Sequence, residues 1–162
     1  MEIKGNCQEG FLEVKELFGS LHKSGREVGS SFSVYQDGKP IIDIWGGYSD
    51  KDQTKQWNRD TLATVWSTTK GVAAITIAHA FENKLIEYER KVSEYWPEFG
   101  CNGKEDITVG MLLSHQAGIC GSKTDNVEDY YSQSVMAKEL ASMHPIWEPG
   151  TASGYHSMTY GW

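Results

Sequence analysis

Between Asp60 and Glu82 a single formally charged side chain, Lys70, stands in an otherwise uncharged run, Val65 to Phe81. Removing an ammonium group from water costs several kcal/mol unless it is partnered, so a lone lysine in such a run is either paired with a distant acid or put to chemical use. Ser67 lies three residues earlier. On a helix, positions i and i+3 share a face and their side chains meet. A hydroxyl held against a partly desolvated amine is a nucleophile beside its proton acceptor, because desolvation favours the neutral form of lysine. The apolar run after Ser67 predicts a buried helix to about Asn83, with Ser67 at its start and Lys70 facing it.

The S-x-x-K spacing is weak by itself, and the chain holds a second match, Ser20-Leu21-His22-Lys23. That match ends a charged amphipathic segment and reads as a solvated face. Composition narrows the alternatives. A net charge of −7 argues against nucleic acid or anionic membrane as partners. Met1 to Gly10 has no apolar core of a secretory signal, and Val72 to Phe81 is too short to span a bilayer. Cys7, Cys101 and Cys120 are widely spaced and odd in number, which favours reduced thiols and a cytoplasmic location. His115 and Cys120 lack a second ligand pair, so neither a metal site nor a cofactor is expected.

Taken in order, Phe11, Val14, Leu17, Phe18 and Leu21 recur at helical spacing before Gly25. Ser31 to Gln36 and Pro40 to Trp45 are β-rich runs flanking Asp37-Gly38, a hairpin signal. Ser49 to Asp60 is polar and loop-like. Leu85 to Phe99 is mixed and broken by Pro97. Thr108 is placed to cap a short helix through Leu113, ended by Gly118. Val127 to Met143 reads as a helix with Met136, Leu140 and Met143 on one stripe, followed by loop from His144. A hairpin followed by helices, without βαβ alternation, is an α+β order in one domain, 1–162. Two strands make a marginal sheet, so the expectation is a hairpin short of partner strands.

A second chemical element is Trp147-Glu-Pro-Gly-Thr-Ala-Ser-Gly-Tyr-His-Ser157. Turn residues and Gly154 suit a tyrosine presented from a loop. A phenol near an ammonium loses its proton more easily, so Tyr155 would shuttle a proton between Ser67 and a leaving group, with Ser157 bonding Lys70 or substrate. Tyr130-Tyr131-Ser132 repeats the Y-x-S spacing, and an ordinary half-buried aromatic is an equally good reading of Tyr155 from the residues alone.

Three ordered motifs change that balance: Ser67-Thr-Thr-Lys70, Ile107-Thr-Val-Gly-Met-Leu-Leu-Ser-His-Gln-Ala-Gly-Ile119, and Trp147-Glu-Pro-Gly-Thr with Tyr155-His-Ser157. Together they resemble the serine β-lactamase-related family of class C β-lactamases, penicillin-binding proteins, D-aminopeptidases and serine esterases. The resemblance implies a β-lactamase/transpeptidase-like fold and a small-molecule ester, amide or lactam substrate. It implies Ser67 as acylated nucleophile, Lys70 as base and Tyr155 as proton shuttle. Ser157 stands where many relatives have Asn, which implies substrate binding. His115 is expected to be structural, for want of an acidic partner.

The resemblance also implies what to look for later in the chain. The family's third motif, Lys-Thr-Gly or His-x-Gly, has no match, since no Lys or Arg follows Lys138. With it would go the late strands and one oxyanion donor, a loss of about a hundred- to thousandfold in rate. The expectation is therefore a domain truncated at its C-terminus, weakly active and prone to self-association through Ile41, Ile42, Ile44 and Trp45. The alternative is an inactive fragment or interaction module.

Overall fold

A computed structural model describes residues 2–158. They form two compact units that divide between Thr64 and Val65. The first holds strand β1 (Lys4–Cys7), helix α1 (Leu12–Lys23) and strands β2 (Gly29–Gln36) and β3 (Lys39–Gly47). The second holds α2 (Thr69–Glu82), α3 (Val92–Tyr95), α4 (Val109–Leu113) and α5 (Gln133–Ser142), with short 3-10 turns between them. The fold class is α+β, as expected. No helix among the described residues is long and apolar enough to cross a membrane.

The hairpin turns where the sequence places it. Asp37 and Gly38 take φ of 50° and 75°, the pair of positive angles that a two-residue turn needs to match strand twist. The expected shortage of partner strands is corrected by β1, which pairs antiparallel with β3 to give the order β1-β3-β2. Lys-Gly-Asn-Cys carries no β-branched residue, so nothing in its composition announces a strand. Pairing makes it one. Gly5 sits at φ 93°, and a Cβ there would lie 2.1 Å from the Asp43 carbonyl oxygen. The same pairing leaves Ile42 and Ile44 buried in the middle strand rather than exposed. In α1, Ser20 and Lys23 are exposed, but His22 between them is buried and meets Ser30 Oγ at 3.0 Å.

In the second unit, Val92, Phe99, Ile107, Val109, Ala117, Ile119, Leu140 and Met143 form one core. Met136, Leu140 and Met143 all point inward, as their spacing predicts, although α5 begins only at Gln133, after a 3-10 turn over Val127–Tyr131. The C-terminal carbonyls of α5 lack helical partners and are taken up by the 101–104 turn. Cys101 Sγ donates to Ala141 O at 3.3 Å and Asn102 Nδ2 to Ser142 O at 2.8 Å. Lys104, fully buried, donates to Met143 O and, at 2.8 Å, to Cys101 O. Burial lowers the Lys104 pKa from the usual lysine value.

The expected burial of α2 is also corrected. Every residue of α2 is at least partly exposed, Val72 at 59% and Ile75 at 73%. A helix apolar on all sides satisfies only one side when it packs against a single neighbouring layer. Ile77 supplies that side, facing Ile86, Trp96, Leu112 and Leu140 around a cavity of about 170 Å³.

Candidate active site

Ser67 sits in a 3-10 turn, Trp66–Thr68, that runs straight into α2. The residue before it, Trp66, has φ 47° and is 82% exposed. Positive φ is an outlier for a bulky side chain, and such strain clusters at functional sites. One turn on, Lys70 Nζ lies 3.5 Å from Ser67 Oγ. The pair therefore faces as the i, i+3 spacing predicts, but at a surface rather than in a buried helix.

Tyr155 reaches this pair from the loop after α5. Lys70 Nζ stands 4.7 Å from the centre of its ring. Hydrogen bonding from Ser67, then from Lys70, together with the lysine charge, holds the Tyr155 phenol below its ordinary pKa. The sequence anticipates the direction and the lysine; Ser67 is the larger cause. Tyr130, the other Y-x-S tyrosine, points its hydroxyl at Thr124 O, 3.5 Å away. Ser157 is exposed two residues beyond Tyr155.

The Tyr155 loop is tied to the end of α4. Thr108 caps that helix by accepting from Met111 N at 3.2 Å. The helix ends earlier than Gly118, through a left-handed residue at His115 with φ 60°. His115 N donates to Leu112 O and Gln116 N to Met111 O, the paired bonds of a helix C-terminus usually closed by glycine. From the loop, Gly150 N donates to Gln116 O, Ser153 Oγ to Ser114 O and Gly154 N to His115 O, each at 3.0 Å. Gly154 is required here, since a Cβ would lie 2.3 Å from the Trp147 ring.

Reading the sequence for acidic partners misses what His115 does. The ring is buried, 4.9 Å from that of Tyr155 and 4.7 Å from that of His156. The two histidines meet Nδ1 to Nδ1 at 3.3 Å. Burial, then the His156 and Lys70 charges, lowers the His115 pKa. The signal available in the sequence is a histidine where the end of a short helix calls for glycine.

A hydroxyl, an amine and a phenol brought together at a helix start, on an α+β scaffold, define the β-lactamase/transpeptidase class of folds. The chain belongs to the Beta-lactamase family, whose model matches residues 14–162. It is 37% identical over 160 residues to the esterase/beta-lactamase LipL of Mycobacterium tuberculosis, covering 99% of this chain and 37% of that one. A solved family VIII carboxylesterase superposes with a TM-score of 0.88 at 42% identity, over 99% of this chain and 44% of that one. A penicillin-binding protein homologue from Caulobacter crescentus gives 0.87 at 36% identity, over 99% and 43%. The chain thus spans less than half the length of these relatives.

Proposed function

We propose that this chain carries the nucleophile of a serine hydrolase that acts on ester or lactam carbonyls through an acyl-enzyme. The observation behind this is the approach of Lys70 Nζ to Ser67 Oγ at 3.5 Å with the Tyr155 ring against the same amine. That distance is at the long end of a hydrogen bond, and such contacts commonly tighten only when substrate binds. In the amine form, Lys70 accepts the Ser67 proton, directly or through Tyr155, as Oγ bonds to the carbonyl carbon. The tetrahedral oxyanion collapses, the bond to the leaving group breaks, and Tyr155 returns the proton to the departing oxygen or nitrogen. Water then hydrolyses the Ser67 ester. Ser157, on the same loop, binds substrate. The names of the relatives, an esterase/beta-lactamase and a carboxylesterase, favour an ester or lactam over other acyl donors.

The uncovered apolar side of α2 favours a second reading, in which the 162-residue chain acylates slowly alone and self-associates. The test is a fluorophosphonate probe with peptide mapping, beside p-nitrophenyl acetate turnover and the oligomeric state. Ser67-dependent labelling with little turnover is the expected result. Labelling that persists in Ser67→Ala, or that maps to another serine, would overturn the assignment.

A further inference from the structure

We propose that His115 and His156 form a directional imidazole pair that holds the Tyr155 ring over Lys70, which makes both histidines positioning residues for the phenol. This rests on the reading of Tyr155 as the proton shuttle.

The hydrogen-bond partners fix the tautomers. His156 Nδ1 lies 2.6 Å from Gly154 O. A carbonyl oxygen only accepts, so His156 Nδ1 carries the proton. His115 Nδ1 faces that same nitrogen at 3.3 Å, and two N–H groups cannot face each other. His115 Nδ1 is therefore the lone pair, and its proton is on Nε2. The tautomer of one ring is thus set by the bond the other makes.

His115 grips the tyrosine loop twice. Its carbonyl accepts from Gly154 N at 3.0 Å, and its ring packs against the phenol at 4.9 Å. Placing a histidine at φ 60° instead of glycine costs about 1 kcal/mol of backbone strain. The helix end alone gives no return for that strain; the ring contacts do. Among the described residues, charged and titratable groups facing the pair include Lys70 on α2 and Tyr155 on the loop. A proton added at His115 Nδ1 would oppose the His156 N–H and set a second cation beside Lys70. Acidification therefore breaks the pair and loosens the phenol.

The test uses the full chain with ¹⁵N-labelled histidine and 3-fluorotyrosine, in wild type, His115→Asn and His156→Asn. Asparagine tolerates positive φ, so His115→Asn keeps the helix end while removing the ring. Tyr155→Phe identifies the Tyr155 fluorine signal. The expected ¹⁵N pattern above pH 7 is Nδ1–H for His156 and Nε2–H for His115. The Tyr155 fluorine shift should show a step in the histidine range that both variants abolish. Fluorophosphonate labelling of Ser67 should slow about tenfold or more in each variant with far-UV circular dichroism unchanged, and its acid limb should flatten. A His156 ring in the Nε2–H form, or a Tyr155 signal indifferent to both variants, overturns the proposal. A wild-type chain whose Ser67 never labels refutes the hydrolase reading instead, and the nitrogen and fluorine spectra still decide the pair.

Discussion

Lys104→Met removes one ammonium and leaves a side chain of nearly the same length. Two acceptors lose a charged donor, Cys101 O at 2.8 Å and Met143 O, both at the junction between the 101–104 turn and the end of α5. A hydrogen bond from a charged group contributes about 1.5–3 kcal/mol, and a carbonyl orphaned in the interior costs a similar amount. Against this, Met avoids desolvating the ammonium, which costs several kcal/mol even after relaxation. The balance is a loss of about 2–4 kcal/mol, or roughly 5–15 °C in Tm for a chain of this size. Thermal unfolding by circular dichroism at 222 nm measures it. The pH dependence has a definite sign. Lys104 has a lowered pKa when folded, so just below the ordinary lysine value the unfolded chain binds more protons. The wild type's advantage should grow as pH rises through that window and shrink as it falls. An unchanged or raised Tm would show that burying the ammonium costs as much as its two bonds return.

Four further outcomes are expected. Gly154→Ala drives a methyl into the Trp147 ring, so it should reduce Ser67 labelling by about tenfold or more, read by gel fluorescence. Gly5→Ala should lower stability by more than about 2 kcal/mol in urea unfolding, since β1 must then part from Asp43. The His115 pKa is lowered on folding, so its contribution to stability is present above the unfolded histidine value and lost as pH falls below it; His115→Asn should remove that acid loss from melts between pH 7 and 5. Tyr155 should ionise below the ordinary tyrosine value, seen at 295 nm as the difference between wild type and Tyr155→Phe.

Features with local causes are legible in the sequence. Asp37-Gly38 specifies its turn by backbone preference alone, Thr108 its cap, and Met136, Leu140 and Met143 their shared face. Ser67 and Lys70 meet because three residues on a helix leave them little choice. Features with distant causes are not legible. β1 is a strand because β3 lies beside it, not because Lys-Gly-Asn-Cys favours extension. The exposure of α2 depends on what packs around it, and an apolar sequence states only what it would bury. His115 and His156 are 41 positions apart, so nothing local announces their contact. A search for a carboxylate partner passes over it.

Strand β1 joins a neighbour about 35 residues further along the chain, while β2 and β3 are joined by a two-residue turn. The hairpin closes on the microsecond scale, and β1 pays a long loop-closure entropy before its first hydrogen bond forms. During synthesis β1 leaves the ribosome first, yet it must wait for β3 to emerge. Once β3 has emerged and until β1 docks, the free edge of β3, with Ile42 and Ile44 on it, can template pairing with another chain. Lys4–Cys7 therefore closes that edge in the finished sheet, and the time it takes to dock sets how long the edge stays open.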